Sequence, residues 1–280
     1  MKIGMNLLLW TDEPSFEKHL HLVDNIKEIG FDGVELHVGL ISKEECRRFG
    51  DYAKSIGLET TALSVLSMDG NPLSPDKGMR QKSVDEFKAC IDKAAALQSK
   101  IIAGPFFQSL GYFSGDRPTQ AEWDWSLETA KQFCDYAKGA GIDVSFEPLN
   151  RFEIYLCNTL DKGVKYIKEL GCDNAGLLMD TMHANIEELD IVKSVESALG
   201  YINHVHISEN DRGIPGTGHA VPPALFRVLK DGGYDRWLTI EAFNMGTPSL
   251  AGPLHLWRTF APSDDALAKQ GYRYIKDNMN

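Results

Sequence analysis

The chain has 280 residues, 43% apolar and 25% charged, the balance of an ordinary globular protein, and a net charge of −11. That charge argues against nucleic acid and anionic membrane surfaces as partners, because phosphate binding needs a basic footprint. There is no run of 18 apolar residues to span a bilayer, and the five scattered cysteines (46, 90, 134, 157 and 172) lack CxxC spacing, which fits reduced thiols in a cytoplasmic protein.

The opening MKIGMNLLLW reads as a buried strand, Ile3–Leu9, rather than a secretory leader, since the polar TDEPSFEKH run follows with no small-residue cleavage site. Further on, a unit recurs: an amphipathic helix, a Gly near its end, then a short β-rich run. It is visible as KEIG-FDGVEL, KSIG-LETTAL, KGAG-IDVSFE, KELG-CDNAGLLMD and KDGGYDRWLTIE. The Gly suits the left-handed residue that closes a helix. The apolar run behind it suits a strand buried on both faces. The remaining expected strands are Gly33–Val38, Glu59–Leu66, Lys100–Gly104, Asp143–Glu147, Ala175–Asp180, His204–Ser208 and Trp237–Glu241.

Eight strands alternating with helices imply a parallel sheet with right-handed crossovers, and about 250 residues suffice to close it. The expected fold is α/β, a single (β/α)8 barrel forming one domain over residues 1–280; a doubly wound open sheet is the alternative. No Pro/Ser linker interrupts it. The segments Ser67–Gly78, Pro105–Trp125 and Phe243–Ser263 exceed the minimal repeat, and each follows a strand, so they fall on the C-terminal face where barrel active sites sit. Phe106, Phe107, Tyr112 and Phe113 in one, and Trp257 in another, are expected to roof a pocket.

Four successive strands end in a metal-ligand residue type: VSFE in Glu147, LLMD in Asp180, NHVHIS carrying His206, and LTIE in Glu241. Any one acid there could cap the next helix or pair locally. Four together, on buried apolar strands that a barrel gathers around one axis, point to a metal, because such groups are costly unless paired or coordinated. Three carboxylates and one imidazole suit Mn²⁺, Mg²⁺ or Co²⁺ better than structural Zn²⁺, and Mn²⁺ is favoured.

Asn150, Arg151, Glu153, His183, Glu209 and Arg212 stand close by in sequence. The Gly- and Pro-rich stretch after His206 suggests a tight loop rather than a helix, in which Arg212 could alternatively pair with Glu209 or Asp211. Trp10 is read as a substrate wall, with core packing as the alternative. His204 shares the strand parity of His206 and is read as its buried, hydrogen-bonded partner. Glu35 is read first as a structural hydrogen-bonding group, and second as a support behind the ligands. His219 and His255 are expected at the surface.

At these residues the chain resembles the D-tagatose 3-epimerase family of ketose 3-epimerases, within the xylose-isomerase-like barrels. FEPLNRFEIYLCNT is similar to the family's E-x-x-N-R-F-E segment, and LLMDTMHANIEE to D-T-x-H-x-N-I-E-E. HVHISENDRGIPGTG is similar to H-x-H-x-x-E-x-x-R-x-x-P-G-x-G, LTIEAF to its E-x-F, and LWRTFAPSDD to its W-R helix entry. The resemblance implies a metal-dependent ketose 3-epimerase acting on sugars such as D-tagatose, D-psicose or L-ribulose. It implies Glu147, Asp180, His206 and Glu241 as metal ligands, with Glu147 and Glu241 also the acid/base pair. Glu153, His183 and Arg212 would grip the substrate, Phe243 would join its wall, and the assembly would be a homodimer or homotetramer. PFFQSLGYFSG and LLLWTDEP depart from the family pattern and leave the sugar open.

Inversion beside a ketone needs a proton taken from one face and one returned to the other, through an enediolate that a divalent metal stabilises. The same site could serve an aldose–ketose isomerase, or elimination from a 3-keto-glycoside. A DNA-cleaving barrel is opposed by the charge, and a sugar-binding barrel without catalysis leaves the four ligands unexplained.

Overall fold

The computed structural model describes residues 1–279. Its strands are β1 (Lys2–Asn6), β2 (Gly33–His37), β3 (Glu59–Leu63), β4 (Ile101–Gly104), β5 (Asp143–Phe146), β6 (Ala175–Asp180), β7 (Ile202–Ile207) and β8 (Trp237–Ile240). All pair in parallel in chain order, and β8 returns to β1 through Lys2↔Trp237 to Met5↔Ile240, which closes the barrel. Around it run α1 (Phe16–Ile29), α2 (Lys43–Ser55), α3 (Lys77–Ala96), α4 (Gln120–Gly139), α5 (Leu160–Leu170), α6 (Thr181–Glu187), α7 (Ile191–Ala198), α8 (Pro223–Asp231) and, after the short α9 (Pro248–Ala251) of the segment that follows β8, α10 (Asp264–Met279). Among the described residues no helix is long and apolar enough to cross a membrane.

Local chemistry explains the punctuation. Gly30 closes α1 at φ 112°, its N–H bonded to the Ile26 and Lys27 carbonyls. Thr119 and Glu122 form a reciprocal capping box at the start of α4. The expected first strand is shorter than its apolar run: Asn6 Oδ1 accepts from the Leu8 N–H at 2.9 Å and turns Leu7–Leu9 into a 3-10 turn.

The main core lies between barrel and helices. Phe106 and Phe107 belong to it rather than roofing the pocket. Phe106 packs edge-on to Phe87 at 4.9 Å and Phe107 edge-on to Tyr166 at 4.8 Å. Each buried side chain of this size stabilises by about 1.5–3 kcal/mol, more than an exposed roof residue would gain, so a run that can reach the core goes there. Tyr112 and Phe113 stay near Tyr155, and Trp257 is exposed.

A second cluster fills part of the C-terminal mouth: Leu8, Leu63, Ala103, Leu178 and Phe243 meet Ala251 and Leu256, so the segment after β8 folds over the opening. A depression of about 420 Å³ lies at the opposite, N-terminal end. It is crossed by the Lys2–Glu59 and Arg236–Asp143 ion pairs, and it holds none of the site residues described next.

Candidate active site

β5 to β8 bring Glu147, Asp180, His206 and Glu241 to one end of the barrel. The Glu147 and Glu241 N–H groups donate to the Gly104 and Ile207 carbonyls at 2.9 and 3.3 Å, so the ladder continues one residue past each strand and aims both carboxylates inward. Asp180 registers against His206, which registers against Thr239. All four side chains are buried.

Asp180 has two jobs. Its Oδ1 caps α6, accepting from the Met182 and His183 N–H groups at 2.7 and 3.1 Å. Its Oδ2 faces the site and accepts from Ser208 Oγ at 2.8 Å and Arg212 Nη1 at 3.1 Å. Arg212 Nη1 also reaches Glu241 Oε2 at 2.8 Å, and its guanidinium lies 5.1 Å from the Phe243 ring centre. Arg212 adopts the left-handed backbone conformation, φ 63°, rare for a side chain of its size. The loop is held from beneath by the buried Glu209, whose Oε1 and Oε2 accept from the Ala220 and Gly216 N–H groups, each at 2.8 Å. Glu209 therefore does not pair with Arg212, and Asp211 pairs with Arg258 instead.

His183 Nδ1 lies 3.2 Å from the Asn150 backbone N and 2.8 Å from its Nδ2, and Nε2 lies 3.2 Å from Arg212 Nη2, a group that can only donate. Asn150 Nδ2 donates to Glu153 Oε1 at 2.8 Å, so Asn150, Glu153, His183 and Arg212 form one continuous rim. Arg151 turns away and grips Glu187 with Nε and Nη2, both at 2.9 Å. Trp10 is half-buried and donates to Asp265 Oδ1 at 3.1 Å, while Leu8 stands in the mouth cluster. His219 and His255 are exposed.

Electrostatics separate the acids. Burial pushes Glu147 well above the usual carboxylate range, and the nearby Glu241 and Asp180 charges add to the rise against the pull of His206. Burial would raise Asp180 too, but Arg212, His183 and His206 hold it far below its ordinary value. Burial would lower His206, yet Glu35 and Glu241 lift it well above. Burial pushes His183 down.

Asp180, His206 and Glu241 present ligand atoms within 4.8 Å of one another, and Glu147, Asp180 and His183 do the same, so Asp180 joins two triads. His206 Nδ1 has no hydrogen-bond partner although fully buried; it lies 3.8 Å from Asp180 Oδ2 and 3.6 Å from Glu241 Oε1. An orphaned ring nitrogen among carboxylates is a donor set for a cation. Its hard oxygens with one imidazole suit a divalent metal. The Arg212 guanidinium supplies the positive charge those carboxylates hold here.

Some groups escaped the sequence reading. His37, at the end of β2, is buried and neutral, pushed by burial down to about 4. The only signal for it was its parity with Glu35 in VELHV. Ser208, Thr61 and Asn6 had none. His204 stacks edge-on to His206 at 5.2 Å rather than bonding to it; both bond Glu35, whose Oε2 lies 2.9 Å from His204 Nε2 and Oε1 2.8 Å from His206 Nε2.

The closed eight-stranded barrel carries this collar at its C-terminal mouth, the face on which barrel active sites sit. The chain belongs to the xylose isomerase-like TIM barrel family, matched over residues 23–277. It is 29% identical over 276 residues to a protein named "Probable ketose 3-epimerase" from Synechocystis sp., covering 99% of this chain and 96% of that one. It is also 29% identical to an L-ribulose 3-epimerase from Mesorhizobium japonicum, covering 98% and 93%. The crystal structure of a D-allulose 3-epimerase from Methylomonas sp. in complex with D-allulose superposes with a TM-score of 0.92 at 27% identity, covering 99% of this chain and 97% of that one.

Proposed function

We propose that the chain is a metal-dependent 3-epimerase of free ketoses, with Glu147 and Glu241 as the acid/base pair. The observation that carries this is the collar itself, in which Glu147 and Glu241 belong to different triads joined by Asp180. Relatives named ketose and L-ribulose 3-epimerases, aligned over nearly the whole chain, support it.

Epimerisation at C3 breaks a C–H bond beside a ketone and remakes it on the opposite face. One glutamate accepts the proton from its side and the other delivers one from its own, which two carboxyls on different strands permit and a single base would not. A divalent cation held by Glu147, Asp180, His206 and Glu241 would supply Lewis-acid stabilisation of the charge that develops on the substrate oxygens. Mn²⁺ is our choice, with Mg²⁺ or Co²⁺ as alternatives. Arg212 offers N–H donors to those oxygens with the His183 ring beside it, and Glu153 accepts from a hydroxyl. Phe243 and the leucines of the mouth cluster form an apolar wall beside these polar groups.

The reading extends to a single barrel domain working in the cytoplasm as a homo-oligomer; all five cysteines are free thiols. Incubating the protein with Mn²⁺ and a panel of free ketopentoses and ketohexoses, followed by chromatography, tests the function. Paired C3 epimers are expected. An aldose product would favour the isomerase reading instead, and turnover unaffected by metal removal would defeat both.

A further inference from the structure

Glu35 is a carboxylate with no solvent exposure, set on the inner face of β2 across the barrel from β7. A buried charge persists only where donors surround it. Here they are complete. Oε1 takes Asn6 Nδ2 at 3.0 Å and His206 Nε2 at 2.8 Å; Oε2 takes Thr61 Oγ1 at 2.9 Å and His204 Nε2 at 2.9 Å. A carboxylate has about four lone-pair sites and no proton of its own to give. Every neighbour must therefore donate, and that fixes where the protons of both histidines sit. With Nε2–H committed to Glu35, the lone pair of a neutral His206 lies on Nδ1. That is the nitrogen with no hydrogen-bond partner, 3.8 Å from Asp180 and 3.6 Å from Glu241.

Backbone register holds the two halves in place. Asn6, Glu35 and Thr61 are direct partners across β1, β2 and β3. A register shift between Leu177 and Leu178 lets His204 pair with Leu178 and His206 with Asp180, so both imidazoles face the barrel axis where Glu35 waits.

We propose that Glu35 is the positioning residue of the metal site: it selects the Nε2–H tautomer of His206, aims Nδ1 at the cation between Asp180 and Glu241, and is itself held by His204, Thr61 and Asn6. The proposal rests on His206 being a metal ligand, the reading given above. A carboxylate behind a ligating imidazole raises its basicity and restricts its rotation, and loss of such a partner costs about 10–100-fold in metal affinity.

The test is Mn²⁺ titration of the wild-type protein and of Glu35→Gln, with folding of both verified by circular dichroism. Gln presents an N–H₂ where two of the donors need an acceptor, so the histidine array must rearrange. Glu35→Gln should bind Mn²⁺ about 10–100-fold more weakly while the wild type binds tightly. A folded Glu35→Gln with wild-type affinity overturns the proposal and leaves the metal reading intact; a wild type that binds no Mn²⁺ sinks the metal reading itself. Should the variant fail to fold, the wild type decides alone. Long-range ¹H–¹⁵N correlation of the Mg²⁺-loaded protein should show the His206 proton on Nε2, and a proton on Nδ1 with bare Nε2 would overturn the assignment.

Discussion

Arg212 Nη1 lies 2.8 Å from Glu241 Oε2, in a pocket where both side chains are buried. The same nitrogen reaches Asp180, so one guanidinium neutralises two of the proposed metal ligands. Removing it by Arg212→Ala leaves two buried carboxylates facing each other, a loss of about 3–5 kcal/mol where nothing replaces the charge. The melting temperature should drop in EDTA and recover largely with Mn²⁺. Lost alignment should lower kcat/KM by roughly 10²-fold even with Mn²⁺ present. Near-native kinetics would remove Arg212 from the substrate grip.

The four collar residues should separate by phenotype. Glu147→Gln and Glu241→Gln each remove a proton carrier and should abolish turnover even in saturating Mn²⁺. Asp180→Asn and His206→Ala should mainly weaken metal binding, with part of the activity regained at high Mn²⁺. Rates in a Mn²⁺ series distinguish the two patterns; recovery of Glu147→Gln by metal alone would strip that residue of its acid/base role.

Glu209 sits under the Arg212 loop with its oxygens on the Gly216 and Ala220 amides. Glu209→Ala strands the buried Ala220 N–H at about 1–3 kcal/mol, releases the more exposed Gly216 N–H, and loosens the loop. A lower melting temperature together with a fall in kcat/KM is expected. Reduced stability with unchanged kinetics would show that Arg212 is placed by other contacts.

Acid should unfold the metal-free protein through Glu35. Burial alone would raise its pKa, but the charges and hydrogen bonds of His206 and His204 override that and hold it far below its ordinary 4.5. A depressed folded-state value means the stabilisation is present above pH 4.5 and is lost as pH falls toward the folded value. In EDTA, thermal midpoints of the wild type should decline steeply below pH 4.5, and those of Glu35→Gln less so. Parallel declines would place the acid sensitivity elsewhere.

What was legible in the chain was whatever a strand end carries. Glu147, Asp180 and Glu241 each terminate an apolar run, and an acid there has few bland explanations once it recurs on neighbouring strands. The barrel followed from the same repeat. Contacts across the axis were not legible: nothing in sequence ties Glu35 to His206 rather than to a neighbour on its own strand, since only barrel closure brings them together. The aromatic pair Phe106 and Phe107 misled for a related reason, because a residue just past a strand can turn into the mouth or back onto the helices. The extra length expected for the first strand failed on one side chain, Asn6, whose cap ends it before the leucines do.

The central claim is proton exchange at C3 between Glu147 and Glu241, and turnover in D₂O with Mn²⁺ tests it most directly. With an accepted ketose, deuterium should appear at C3 of both epimers as equilibrium is approached, and neither Glu147→Gln nor Glu241→Gln should form the epimer. Formation of the epimer with its C3 hydrogen fully retained would contradict the account.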